Sequence, residues 1–338
     1  MLEWFNKKGP EGEIVLSTRI RLARNINEYP FPVRLDAKQK EQVCEKIKEA
    51  MLNSNSCIAK DFQYLKMDTL SNAQAIAMAE HHLISPEFAT NTQSRGLLIN
   101  KDSSVSIMLC EEDHIRLQVM KSGFDLDSAY ELADKIDTLL DNSLHFAFDE
   151  KLGYLTQCPT NLGTGMRASV MLHLPALTKC GQINSLATTI SKLGLTIRGA
   201  YGEGTQPQGD IYQLSNQVSL GISEKAAIDN LKSITKQVIA QEEKLREQMK
   251  NDDEVIDKIW RSLGILKNAR ILNTAEFMEL ISFVRMGICL GIVDFDIETI
   301  NTLISQMQPA TINANLEKAL TPKERDLYRA EKVRQAFN

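Results

Sequence analysis

Apolar positions along the chain change their period several times, and each change predicts an element. Over residues 38–52 they recur at Val43, Ile47 and Met51, the rhythm of a helix with one buried face. Ser71 stands where a capping residue opens a second helix, over 71–83. Residues 96–100, 104–109 and 115–120 then alternate or run apolar between short polar turns, which predicts consecutive strands of an antiparallel meander. Residues 127–146 return to helical spacing, with Leu132, Ile136, Leu139 and Leu140 placed to cover that sheet. The apolar run 168–174 reads as a buried strand, 182–193 as a helix and 195–197 as a further strand. A charged helix over 223–249 carries the stripe Ile228, Leu231, Ile234, Val238 and Leu245. After it only helical periods remain, over 255–266, 274–290, 297–306 and 322–336.

Strands in the first part and helices alone in the last predict an α+β protein, an antiparallel β-sheet flanked by helices and followed by an all-α segment. The 338 residues are ample for two domains. The polar run Lys250-Asn251-Asp252-Asp253-Glu254 is the natural boundary, giving domains 1–250 and 251–338. The stripe Phe277, Leu280, Ile281, Val284 and Ile288 exceeds what one helical layer needs, so part of it is expected to bury against a second copy in a two-fold homodimer. A net charge of -5 argues against nucleic acid held by bulk electrostatics. Six cysteines without a CxxC pair or metal-like clustering point to reduced thiols and no metal site. With neither a signal peptide nor an apolar run of membrane-spanning length, the expected compartment is the cytoplasm.

The most informative stretch is Cys158-Pro159-Thr160-Asn161-Leu162-Gly163-Thr164-Gly165-Met166-Arg167-Ala168-Ser169-Val170. Its turn and glycine bend put a thiol, a bare backbone and an arginine in one neighbourhood. Glycines let a ligand approach the main chain, and Arg167 can fork onto phosphate or carboxylate. The stretch lacks the ending of a P-loop and the spacing of a dinucleotide fingerprint, and alone it reads equally well as a glycine-rich hairpin. In the extended run Ser17-Thr18-Arg19-Ile20-Arg21, Arg19 and Arg21 point the same way, either toward one polyanion or into solvent. Cys110-Glu111-Glu112-Asp113-His114-Ile115-Arg116 is a dense charged turn between two predicted strands. Arg198-Gly199-Ala200-Tyr201-Gly202-Glu203-Gly204 is a second glycine-rich turn. On the last predicted helix, Arg325-Asp326-Leu327-Tyr328-Arg329-Ala330 sets Asp326 and Arg329 on one face, a common surface ion-pair pattern.

Taken together these motifs resemble the phosphagen (guanidino) kinases, the ATP:guanido phosphotransferases. The stretch at 158–170 is similar to their signature loop, and Ser17 to Arg21 to their Ser-Ser/Thr-Arg-Val/Ile-Arg motif. The turn at 110–116 resembles Asn-Glu-Glu-Asp-His-Leu-Arg, with Cys110 in place of asparagine. The turn at 198–204 resembles Arg-Gly-Thr-Arg-Gly-Glu-His, with Ala200, Tyr201 and Gly204 as departures that suggest a differently shaped substrate loop. With a catalytic part beginning near Met1 and a helical part behind it, the whole chain is similar to the bacterial protein arginine kinases of that family.

The resemblance implies ATP and Mg2+ as cofactors. It places nucleotide on Ser17, Thr18, Arg19, Ile20 and Arg21, on Arg116, on Arg167, Ala168, Ser169, Val170 and Met171, and on Arg198, Gly199, Ala200, Tyr201, Gly202 and Glu203, with His82 rather than His81 against the adenine. Glu112 and Glu203 would grip the guanidinium, Glu112 being the preferred base. Cys158 would contact a non-reacting nitrogen as a thiolate. Arg325, Asp326, Arg329 and Ala330 would form an allosteric phosphoarginine pocket. The implied activity is transfer of the γ-phosphate of ATP to arginine side chains of proteins, which marks them for ClpC-ClpP degradation in a stress response. The activator McsA and the repressor CtsR are the implied partners. A small-molecule guanidino kinase and a non-catalytic phosphoarginine-binding adaptor are the alternatives. The helical extension speaks against the first and the intact acids, thiol and arginines against the second.

Overall fold

In the computed structural model, which describes residues 2–200 and 207–338, ten strands form in chain order. They are β1 (Val15–Arg24), β2 (Phe62–Lys66), β3 (Gly96–Asn100), β4 (Val105–Leu109), β5 (Ile115–Ser122), β6 (Phe148–Asp149), β7 (Gly153–Tyr154), β8 (Met166–His173), β9 (Leu195–Gly199) and β10 (Ile211–Asn216). Eight of them make one sheet in the order β2-β3-β4-β5-β1-β8-β10-β9, antiparallel at every joint, and β6 pairs with β7 in a small hairpin. The central strands β5, β1 and β8 therefore come from three separate parts of the sequence.

Alternation along these strands divides the sheet into two unlike faces. One face presents Ile20, Leu22, Leu117, Val119, Ala168, Val170 and Leu214 to a core completed by the helices Ala37–Leu52, Leu126–Leu144 and Glu224–Met249. The caps explain where two of the helices begin: Asp36 and Ser71 each accept a bond from the third helical N–H while a glutamine reaches back, closing capping boxes on Ala37–Leu52 and Asn72–Glu80. Within Leu126–Leu144 the buried stripe is Ala129, Ala133, Ile136, Leu140 and Leu144, so the predicted Leu132 and Leu139 sit at its flank, half-buried.

The other face carries Leu97, Ile99, Met108, Met120, Met171 and Ile211 into a second core that includes Trp4, Phe5, Ala75, Phe88 and the C-terminal helices. A β-bulge at Val15–Ser17 shifts the alternation of β1, so that Val15 joins Ile20 and Leu22 in the first core and Leu16 faces the second. The helices Asp253–Asn268, Thr274–Cys289, Ile297–Gln306 and Pro322–Phe337 thus form a layer on the sheet itself. This corrects the reading of the C-terminal stripe: Phe277, Leu280, Ile281 and Val284 are buried within the chain, against the sheet's own residues, and need no second copy to cover them. The interruption between the helices Glu224–Met249 and Asp253–Asn268 falls at residues 250–252, where Asp252 caps the second helix.

Candidate active site

The second face of the sheet is not apolar throughout. Strand alternation brings Arg19 and Arg21 of β1, Arg116 and Gln118 of β5, Arg167 and Ser169 of β8, and Gln213 of β10 to its middle. Arg21 stands directly opposite Arg167 on one side and Gln118 on the other. The same alternation turns the side chains of Ile20, Ala168 and Val170 into the opposite core, so of these three only the backbone lies toward the arginine face. Thr18 is also spent elsewhere, since its hydroxyl donates to Gly123 O at 2.7 Å and accepts from Asp125 N. From these two runs the polar side chains of Arg19, Arg21, Arg167 and Ser169 reach the arginine face, and Met171 shares that face as part of the second core.

Two cavities meet on these arginines. The smaller, about 150 Å³, is lined by Glu112, Asp113, Cys158, Thr160 and Asn161 as well as Arg21, Arg116 and Arg167. The larger, about 430 Å³, is lined by Arg19, His82, Ile84, Gln118, Arg198, Gly199, Ala200 and Gln213, and again by Arg21, Arg116 and Arg167. Three arginines therefore form the shared wall between an acidic pocket with a thiol and a larger pocket with mixed apolar and basic lining. Burial and the neighbouring Arg116 and Arg167 push Arg19 down to about 10, and burial with Arg19, Arg116 and Arg167 holds Arg21 well below its ordinary value. Buried cations that lower one another's pKa favour binding of an anion between them.

Each wall has its own support. Arg116 is paired to the buried Glu111 carboxylate, which also accepts from the Ser85 hydroxyl. Burial alone would raise Glu111, yet Arg116, the Ser85 bond and Arg95 hold it below the usual carboxylate range, while burial works against the charged Arg116 and Glu111 raises it. Cys110, at the start of this turn, has φ +59, the left-handed region that an asparagine tolerates well, so the departure from the family pattern falls on a position with a backbone demand. Asn25 ties the turn to the thiol loop: its amide donates to Asp113 Oδ1 at 2.6 Å and to Leu155 O at 2.9 Å, and His114 N donates to its carbonyl. Asp113 Oδ1 also accepts from Gln157 N at 2.8 Å.

Glu112, half-buried between these anchored neighbours, has its carboxyl raised, by burial first and then by Asp113. Cys158 Sγ lies 3.0 Å from Thr160 Oγ1, and its loop is pinned by Ser219 Oγ donating to Thr160 O and Leu162 O. The glycines of the bend are needed sterically. Gly163 has φ +98 and a side chain there would meet Ser219 O at 2.2 Å, and Gly165 has φ +58 against Arg24 Nη1 and Ala23 O. Arg24, the third arginine of its run, points away from the site and is buried in a pair with Asp137 while its carbon lies 3.5 Å from the centre of the Tyr154 ring.

His82 lines the larger cavity, and burial together with Arg19 pushes it down to about 3, so that it stays neutral. His81 faces the other way, with Nε2 3.2 Å from Thr311 Oγ1. Tyr201, Gly202 and Glu203 lie outside the described residues. At the C-terminal motif, Arg325 and Asp326 are half-buried, Ala330 is buried, and Arg329 is wholly buried, donating to Met307 O, Leu272 O and Asp326 Oδ1, each at 2.8 Å. The nearby cleft of about 650 Å³ is lined by Leu316, Leu320, Leu327 and Tyr328 and not by these four residues. Asp113, Thr160, Asn161, Gln118 and Gln213 escaped the sequence reading as site residues. Thr160 and Asn161 were visible inside the thiol motif, whereas Gln213 follows only from strand pairing.

Residues 42–245 match the family model for the ATP:guanido phosphotransferase C-terminal catalytic domain, and residues 252–338 that for the protein-arginine kinase McsB C-terminal domain. The chain is 46% identical over 328 residues to a protein-arginine kinase of Caldanaerobacter subterraneus subsp. tengcongensis, spanning 96% of this chain and 97% of that protein. It is 44% identical over 338 residues to one of Halothermothrix orenii, spanning 99% and 96%. Among solved structures it is similar to the duplicated taurocyamine kinase from Schistosoma mansoni with bound transition state analog components, with a TM-score of 0.64 and 29% identity over 75% of this chain and 37% of that one. Lombricine kinase gives a TM-score of 0.63 at 25% identity, over 71% and 69%. On sequence, fold and site alike, the chain belongs to the ATP:guanido phosphotransferases, and within them it is a protein-arginine kinase.

Proposed function

We propose that the acidic pocket takes the guanidinium of a protein's arginine, that the larger cavity takes ATP, and that the phosphoryl group crosses at Arg21, Arg116 and Arg167. The observation that carries this reading is that these three arginines line both cavities. A guanidinium is a poor nucleophile because it stays protonated up to about pH 12. Glu112 is the proposed base, because burial and Asp113 raise its carboxyl toward the range in which it takes a proton. Glu203 is proposed as the second carboxylate on the guanidinium and Cys158 as a contact to a nitrogen that does not react. The arginines supply positioning and charge stabilisation for a loose transition state.

Mg2+ is proposed to come with ATP, where it neutralises phosphate charge. Mg2+ is a hard cation that keeps much of its water shell, so phosphate oxygens and water are its proposed ligands. The division into a catalytic part, 1–250, and a helical part, 251–338, is supported by the two family matches on either side of residue 250. In the helical part Arg325 and Asp326 are the members of the proposed phosphoarginine pocket with exposure to meet a ligand, Arg325 for phosphate and Asp326 for guanidinium.

We further propose a cytoplasmic protein that marks clients for ClpC-ClpP in a stress response, with McsA and CtsR as partners, and a homodimer. No helix among the described residues is long and apolar enough to cross a membrane. Exposed Ile271, Leu316 and Leu327 near the C-terminal cleft favour association there. Incubation with ATP and either an unfolded protein or free arginine tests the substrate class. Acid-labile phosphate on protein arginines is the expected product, and transfer to free arginine alone would overturn it.

A further inference from the structure

We propose that the C-terminal helices set the shape of the larger cavity through two buried ties, Glu80 to Thr311 on one wall and Asp210 to Ser282 on the other. The inference rests on the reading of that cavity as the ATP site. The first wall is the end of the helix Asn72–Glu80, where Glu80 and His82 line the cavity. Its Glu80 carboxylate accepts from Ala310 N at 2.9 Å, from Thr311 N at 2.7 Å and from the Thr311 hydroxyl at 2.8 Å. Thr311 is fully buried, so these charge-assisted bonds are sheltered from water. They fix the turn that leaves His82 at φ +56, in the left-handed region, facing the cavity.

The second wall is the edge formed by β9 and β10, which contributes Arg198, Gly199, Ala200 and Gln213. Asp210, at φ +55 just before β10, accepts from the Ser282 hydroxyl at 2.6 Å, and Ser282 belongs to the helix Thr274–Cys289. Because that hydroxyl proton goes to Asp210, Ser282 Oγ must accept from His173 Nε2, 2.9 Å away. His173 Nδ1 then accepts from Arg285 Nη1 at 3.0 Å and Arg246 Nη2 at 3.3 Å. Burial and these two cations keep the imidazole neutral, so each proton in the chain has one place to be. His173 closes β8, the strand of Arg167, and Ile211 O, next to Asp210, accepts from Ala200 N. Thr311 and Ser282 line no part of the cavity, so any effect they have on nucleotide passes through the walls they hold. They are positioning residues.

The test is steady-state kinetics of the full chain with ATP varied, on Ser282→Ala and Thr311→Val. The expected result is a KM for ATP raised about fivefold or more in each, with kcat little changed. Thr311→Ser and Asp210→Asn keep a hydroxyl and an acceptor respectively and should restore the wild-type KM. Should Ser282→Ala fail to fold, Asp210→Ala removes the same tie from its other end and is read identically. Arg198→Ala serves as the control on the cavity. If it raises KM for ATP while Ser282→Ala and Thr311→Val do not, or if those two lose only kcat or folded yield, the ties are merely structural and the proposal is overturned. If Arg198→Ala also leaves KM unchanged, the nucleotide assignment falls with it.

Discussion

Arg21 of β1 and Arg167 of β8 stand directly opposite each other across adjacent antiparallel strands, and the Nε of Arg21 is buried with no hydrogen-bond partner among the described residues. Like charges in that register destabilise a sheet, so the arrangement stores an affinity for an anion. A polyanion that fits, ATP or tripolyphosphate, should raise the thermal midpoint, with a stabilisation of about 2.7 kcal/mol at a hundredfold excess over Kd. Arg21→Ala should be at least as stable as wild type without ligand, lose most of the response to tripolyphosphate, and be inactive. Differential scanning fluorimetry with and without tripolyphosphate reads this directly; an equal shift in both proteins would show that the anion sits elsewhere.

Glu112 should set the acid limb of the pH profile. Its carboxyl is raised by burial and by Asp113, so kcat/KM should fall as pH drops through a midpoint above the ordinary glutamate value of about 4.3. The sign for stability runs the other way from a salt-bridged acid. A raised folded pKa means that the fold prefers the protonated form, so the penalty is present above that pKa and vanishes as pH falls below the unfolded value. Glu112→Gln should therefore be slightly more stable than wild type at neutral pH while losing turnover by roughly 100- to 1,000-fold. Glu203→Ala should lose turnover comparably. Near-wild-type rates in either variant would remove that residue from the reaction.

Much of this site was legible from local pattern. Arg19 and Arg21 two apart in a strand, and Glu112 beside Arg116 in a turn, share a side for reasons of period alone. What pattern could not supply is which strands lie together. β2, half-exposed at the sheet's edge, shows little alternation in its burial, and β10 follows the glycine-rich turn without a boundary signal, so pattern predicts neither strand and does not place Gln213. The apolar stripe of the helix Thr274–Cys289 predicts burial, but its partner is the arginine-bearing face of the sheet and not a second copy. A stripe announces burial and does not say against what.

Cys158 gives a sharper test of the thiol than of the fold. Its side chain is half-buried, contacts Thr160 Oγ1 and lines the acidic pocket, so its replacement removes little packing. Cys158→Ala should abolish measurable transfer, and Cys158→Ser should keep a trace, since a hydroxyl retains a hydrogen bond. Both should unfold within a few degrees of wild type. Full activity in Cys158→Ala would reduce the thiol to a spectator.

Asp326 and Arg329 share a salt bridge at 2.8 Å, yet their substitutions should separate cleanly. Arg329 is wholly buried and bonds the carbonyls of Met307 and Leu272, so it joins the last helix to the two segments beneath it. Arg329→Ala leaves those carbonyls unsatisfied and opens a cavity, a loss of about 2–4 kcal/mol in folding stability. Asp326 is half-buried at the surface of the same turn, and Asp326→Ala should change stability much less. If Asp326 takes the guanidinium of phosphoarginine, Asp326→Ala should weaken binding of free phosphoarginine and any response of kinase rate to it, with KM for ATP unchanged. Calorimetric titration of wild type and Asp326→Ala with phosphoarginine decides the matter, because identical binding curves would place the phosphoarginine site away from this helix.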